Sequence, residues 1–147
     1  MKHILNETKW KTNEVKETIN KNLGNIYKEL NQLDDAIKSY EKALDVNPNF
    51  SHAHNNLGNI YKDLNQLDVA MKSYKKAIAI NTNFSEAHNN LGNIYKDLNQ
   101  LDFAIISYEK ALLINPDYAH AHNNLGFSFM GLSRLDDAVE CFERAIA

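Results

Sequence analysis

The sequence predicts an all-α solenoid of stacked helical hairpins, about eight helices in four units. Three observations carry that prediction: a fixed repeat period, two apolar stripes of helical spacing in each unit, and helix-closing residues at constant offsets between them. Residues 54–68 and 88–102 both read HNNLGNIYKDLNQLD, and aligning 51–84 with 85–118 gives 24 identities over 34 positions. A repeat of that length is one supersecondary unit that cannot bury its apolar face alone, so neighbours must stack. The units fall at 17–50, 51–84, 85–118 and 119–147, the last incomplete, within a single domain over 17–147. Residues 1–16 lie outside the register; they carry Trp10 and read as an N-terminal extension or cap.

In the second unit the first stripe is Ala53, Leu57, Ile60, Tyr61 and Leu64, and the second is Leu67, Ala70, Met71, Tyr74, Ala77 and Ile78. Steps of three and four place each set on one helix face. Between the helices stand Asn31, Asn65 and Asn99, a residue type suited to the left-handed position that closes a helix. Asp34, Asp68, Asp102 and Asp136 then bring negative charge to the first turn of the second helix, where the dipole favours it. Asn47-Pro48 and Asn115-Pro116 stop the second helices, since proline restricts its predecessor and cannot continue the ladder.

Gly24, Gly58, Gly92 and Gly126 recur in mid-helix, where glycine costs roughly 1 kcal/mol relative to alanine. Their recurrence predicts a close approach of the partner helix. Ala70 and Ala77 offer a small surface opposite, and Tyr61 and Tyr74 fill the gaps beside them.

Leu57, Gly58, Tyr61, Ala70, Tyr74 and Ala77, repeated in the other units, resemble the tetratricopeptide repeat family, whose 34-residue hairpin follows W-x2-L-G-x2-Y, then A-x3-F, alanine and proline. The departures are His54, His88 and His122, or Asn20 in the first unit, at the tryptophan position, and Thr82 at one proline. The resemblance implies a right-handed superhelix whose concave groove, built by the first helix of each pair, holds a peptide or partner protein.

On that geometry the groove-facing residues are Lys21, Asn22, Asn25, Asn55, Asn56, Asn59, Lys62, Asn89, Asn90, Asn93, Lys96, Asn123, Asn124 and Phe127. Thr18, Lys28, His52 and Glu86 share the same faces. A carboxamide offers an acceptor and two donors, so a column of them can hold an extended chain by its peptide groups. The column Asn22, Asn56, Asn90 and Asn124 resembles the asparagine ladder in the repeat region of O-linked N-acetylglucosamine transferases. The chain also holds 21 asparagines in all, so genome composition is a competing explanation for each of them. Lys21, Asn25 and Asn56 match the start of a carboxylate clamp, but Glu86 and Asn90 stand where it needs cations, so a working clamp is not expected. In the last unit Phe127 and Met130 replace the polar pair, either to seat an apolar ligand side chain or to lie beneath a further element.

The formal net charge of −3 gives no general attraction to nucleic acid. No apolar run approaches the ~20 residues that span a bilayer, so membrane insertion is not expected. The opening MKHILNETKWK lacks the apolar core of a secretory signal, and the lone Cys141 fits a reducing compartment. A soluble, cytoplasmic protein is expected. His52 and His54, or His120 and His122, lie two apart, which splays them on a helix, while metal chelation from one helix wants i,i+4. No nucleophile elbow, phosphate-binding loop or carboxylate pair is present, so neither catalysis nor a cofactor is expected.

Val69, Phe103, Ile106 and Leu113 form an apolar strip on the outer face, which points to self-association into a homo-oligomer. Leu135, Val139, Phe142 and Ile146 find nothing downstream to cover them, which predicts a longer protein or, second, docking of that face onto another copy. The sequence therefore reads as a non-catalytic scaffold binding protein or peptide in an Asn/Lys-lined groove. The alternatives are a self-assembling architectural or targeting module and the recognition arm of a larger transferase.

Overall fold

Helical periodicity is realised throughout: the computed structural model describes residues 2–147, with side chains from Thr12 onward, as eight helices without a strand. They are α1 (Lys2–Glu29), α2 (Leu33–Val46), α3 (Ser51–Asp63), α4 (Leu67–Ile80), α5 (Ser85–Asp97), α6 (Leu101–Ile114), α7 (Ala119–Gly131) and α8 (Leu135–Ile146). Residues 2–16, expected as an extension or cap, continue α1 without a break. The Trp10 side chain lies outside the described residues.

The turn inside each hairpin is a Schellman motif. Asn31, Asn65 and Asn99 take φ of 57°, 57° and 56°, and Ser133 does the same at 59°. In the second unit the Asn65 amide donates to the Lys62 carbonyl and the Gln66 amide to the Tyr61 carbonyl, both at 2.8 Å, satisfying orphan carbonyls of α3. Between units the chain turns on asparagine: the Asn47 and Asn81 side-chain oxygens each accept the amide two residues on at 3.1 Å. That Asx turn explains why Thr82 can replace the proline without altering the corner.

Inside each hairpin the mid-helix glycine cradles an aromatic ring. A Cβ on Gly58 would stand 2.5 Å from the Tyr74 ring, and the same relation joins Gly24 to Tyr40, Gly92 to Tyr108 and Gly126 to Phe142. The rings of Tyr40, Tyr74 and Tyr108 are fully buried, as are the alanines Ala36, Ala70 and Ala104 beside them. The core continues from unit to unit: Ala36 and Tyr40 of α2 pack with Leu57 and Ile60 of α3, and Ala70 and Tyr74 of α4 with Leu91 and Ile94 of α5. First helices of neighbouring units also touch directly, α3 with α5 and α5 with α7. Among the described residues successive second helices share no contact of that extent. The first helices thus line the tighter, inner face of the array.

The histidines at the tryptophan position pin the corners. The Nε2 of His54, His88 and His122 meets the carbonyl oxygen of Pro48, Thr82 and Pro116 at 3.1, 3.2 and 2.8 Å. Each bond ties the start of a first helix to the loop that precedes it. No group of three or more metal-ligating side chains converges among the described residues.

Candidate functional site

The inner face carries a hydrogen-bonded carboxamide lattice that begins at the buried tyrosines. Tyr40, Tyr74 and Tyr108 each lie against a glycine, and each hydroxyl reaches the next residue of that first helix: Asn25, Asn59 and Asn93 accept at 2.6, 2.7 and 2.8 Å. Burial raises all three phenol pKa values, so the hydroxyls stay protonated and donate at neutral pH.

Rungs then cross between units. The Asn56 Nδ2 donates to Asn25 Oδ1 at 3.3 Å and to the Tyr40 hydroxyl at 3.2 Å. The Asn90 Nδ2 donates to Asn55 Oδ1 and Asn59 Oδ1, both at 3.1 Å, and the Asn124 Nδ2 to Asn89 Oδ1 at 3.1 Å. Asn55 closes the set by donating to Glu86 Oε1 at 3.0 Å.

This lattice corrects two of the sequence expectations. Asn55 and Asn89 were expected in the groove but are 1% and 4% exposed, held between first helices as acceptors for the next unit. They are struts of the array. Asn25, Asn56, Asn59, Asn90, Asn93 and Asn124 are not free at both ends either, because each spends one half of its carboxamide on the lattice. Among the described residues, Asn25, Asn59 and Asn93 have no partner for Nδ2, while Asn56, Asn90 and Asn124 have none for Oδ1. One column therefore presents donors and its neighbour presents acceptors.

Lys21, Lys62, Lys96 and Asn123 are half-buried on the same helices, and Asn22 is exposed. At the first unit the face opens into a polar hollow of about 290 Å³ lined by Asn25, Lys28, Glu29, Tyr40 and Asn56. In the last unit the polar pair is exchanged as a whole. Phe142 replaces the tyrosine and Phe127 the asparagine, and the two rings meet edge to face at 5.2 Å. Phe127 and Met130 remain about half exposed.

The outer face carries two wider hollows at equivalent places in the repeat, about 630 Å³ over His54 and Leu57 and about 360 Å³ over His122 and Leu125. Cys141 borders the second; burial pushes its thiol up, away from the reactive thiolate. Phe103, Ile106 and Leu113 stand exposed on this face, with Val69 near them in the repeat and Phe103 leaning on the Tyr95 ring at 5.4 Å. No helix among the described residues is long and apolar enough to cross a membrane.

A stack of two-helix units with a side-chain lattice along its inner face defines a helical-repeat solenoid. The family model described as TPR repeat matches residues 24–65, 58–98 and 92–133, and the chain belongs to the tetratricopeptide repeat family. Comparison with curated protein sequences finds no match. The fold is similar to a crystal structure of MamA, with a TM-score of 0.81 and 28% identity, covering 88% of this chain and 76% of that one. It is also similar to the first TPR of Spaghetti (RPAP3) bound to an HSP90 peptide, SRMEEVD, with a TM-score of 0.76 and 28% identity over 80% of this chain and 94% of the other. Pseudomonas aeruginosa pilF, at 21% identity, shares the superhelical fold with a TM-score of 0.84, covering 92% of this chain and 62% of its own.

Proposed function

We propose that the chain is a non-catalytic scaffold that holds an extended segment of a partner protein along its inner face. The observation that carries this reading is the split polarity of the lattice. A peptide group needs a donor for its carbonyl and an acceptor for its N–H. Asn59 Nδ2 and Asn90 Oδ1 offer one of each on adjacent helices, and Asn93 with Asn124 repeats the arrangement. Packed helices lie roughly 8–10 Å apart, about three residues of extended chain at ~3.3 Å each. One main-chain contact per helix is therefore in register with an extended ligand. Lys62 and Lys96 edge the groove and favour acidic side chains, while Phe127 and Met130 receive an apolar one at its end.

The similar TPR domain solved with an HSP90 peptide supports binding of a protein segment by this architecture. Recognition of a free C-terminal carboxylate is not part of the proposal, because Glu86 places like charge on the groove beside Asn55. Free-acid and amidated forms of one bound peptide should therefore show the same affinity within about threefold. A tenfold preference for the free acid would reverse this.

The exposed strip of Phe103, Ile106 and Leu113, extended by Val69, supports a second reading in which the outer face makes a protein contact of its own, including self-association. Light scattering on the wild type and Phe103→Glu tests it: loss of a self-associated species in the variant supports the strip, and identical masses reject it.

A further inference from the structure

The second and third units are nearly identical along their first helices, α3 and α5, where only His52 and Glu86 differ. Most of their other differences fall on the second helices, and four of those face outward. Val69, Lys72, Lys75 and Ala79 of α4 become Phe103, Ile106, Glu109 and Leu113 of α6, and all eight side chains are exposed. The exchange turns a face of small and basic side chains into one of large apolar and acidic ones. One molecule therefore carries a hollow and a ridge that match in size and in charge.

The hollow is the furrow between α2 and α4. Neighbouring second helices stand apart on the outer side, and the gap holds a cavity of about 630 Å³ over Leu57. It shares Leu44 and Ala79 with another of about 450 Å³ toward the corner. The α4 wall bears Lys72, Lys75 and Lys76, and the α2 wall bears Glu41 and Asp45. Lys75 also stands 5.8 Å over the Tyr95 ring. At the matching place between α4 and α6, the Phe103 ring stands where the furrow has the smaller Val69.

The ridge is α6. At roughly 100° of rotation per residue, Ile106 and Leu113 form its crest, Asp102 and Glu109 one flank, and Lys110 and Phe103 the other. Ile106 is 48% exposed and Leu113 85%. Among the described residues, neither the charged side chains of α6 nor the three furrow lysines enter an ion pair. Laid in the furrow in one direction, the ridge brings Asp102 and Glu109 to the α4 lysines while Lys110 faces Glu41 and Asp45. The reverse direction sets like charge against like on both walls, so the charges also fix the orientation.

We propose that the α6 ridge of one copy of this chain docks in the α2–α4 furrow of a second copy. The proposal rests on the self-association reading of the Phe103 strip and names the surface that receives it. Large apolar side chains enter a hollow walled by small ones, and each charged flank meets its opposite. The inner face stays open to a peptide throughout.

The test reverses the charge of each surface separately. Lys72→Glu/Lys75→Glu alters the furrow and Asp102→Lys/Glu109→Lys the ridge; all four side chains are exposed, and circular dichroism melts establish that each variant folds. In sedimentation velocity at physiological salt the wild type should self-associate as its concentration rises. Each variant alone should associate about tenfold more weakly or worse, because like charges then face each other. An equimolar mixture of the two should regain wild-type strength, since each reversed surface meets its complement on the other variant. Phe103→Glu should run as the monomer of 16.8 kDa. If Phe103→Glu abolishes association while both charge variants keep it, the strip is a contact but the furrow is not its seat, and the proposal falls alone. A mixture no stronger than either variant by itself overturns it too. A wild type that stays monomeric at millimolar concentration, or association unchanged in Phe103→Glu, removes the strip reading and the proposal together and leaves the furrow to a different protein.

Discussion

The Tyr74 hydroxyl donates to Asn59 Oδ1 at 2.7 Å while its ring lies where a Cβ on Gly58 would be. One side chain thus fills the hairpin core and fixes the orientation of a groove carboxamide. With Asn59 Oδ1 held by Tyr74 and Asn90, its Nδ2 is turned away from both. The packing of the hairpin and the polarity of the inner face are coupled through this contact.

That coupling predicts a non-additive pair. Tyr74→Phe should destabilise the fold by about 1 kcal/mol, the net worth of one hydrogen bond. Adding Asn59→Phe should cost less than the two single changes sum to, because Phe142 and Phe127 already form the apolar version of the pair. Urea denaturation of the four proteins in the cycle measures the coupling, and strict additivity would deny it.

Gly58→Ala tests the close approach. Alanine gains roughly 1 kcal/mol of helix propensity, but its Cβ meets a buried ring at 2.5 Å that a hydrogen bond holds in place. Overpacking of that kind costs about 1–3 kcal/mol. The expected result is a lower melting temperature despite the better helix former, and a larger fall for Gly58→Leu. An unchanged melting temperature in the leucine variant would contradict the cradle.

The left-handed turn residues predict an ordering. Asn65 sits at φ 57°, a conformation that costs a residue with a Cβ roughly 1–2 kcal/mol and glycine little. Asn65→Ala should lower stability by about 1 kcal/mol, and Asn65→Gly should match or exceed the wild type. Thermal melts of the two variants decide, and the opposite ranking would refute the turn assignment.

The corner histidines predict a pH dependence. Burial lowers the pKa of His54 and His88 below the ordinary value, opposed in part by their carbonyl bonds and assisted by Lys76 and Lys110. Below the unfolded value of about 6.5 the unfolded chain binds protons that the folded chain resists. The stability these groups contribute is therefore complete above that pH and is lost as pH falls toward their folded pKa. Melting temperature should drop between pH 7.5 and 5.5, and the drop should shrink in His54→Gln/His88→Gln. An equal drop in the double variant would assign it to other groups.

The architecture was legible in the sequence because its determinants are local or repeated. Asn31, Asn65 and Asn99 close helices from their own backbone angles, and Gly58 with Tyr74 recurs at fixed spacing in register. The groove was only half legible. A carboxamide at Asn55 looks the same in sequence as one at Asn56, yet Asn55 is buried and Asn56 is only partly so, because the difference lies in the approach of α5 to α3. Which half of each amide faces outward depends on tyrosine hydroxyls fifteen residues away on another helix. One signal was available: the last unit loses its asparagine and its tyrosine hydroxyl together, at Phe127 and Phe142, which marks the two positions as partners. The helical continuity of residues 2–16 left no mark in the repeat register, since nothing in the period describes what precedes it.

The central claim is that the inner face holds an extended chain by its main chain, between the free Nδ2 column and the free Oδ1 column. The most direct measurement is fluorescence anisotropy of a peptide selected from a random library on the immobilised chain. The account predicts at least tenfold weaker binding after N-methylation of the peptide's central amides, and the same loss with Lys62→Glu/Lys96→Glu. It predicts little change with Phe103→Glu. Affinity that survives N-methylation and the double charge reversal but falls with Phe103→Glu would contradict it and move the site to the outer face.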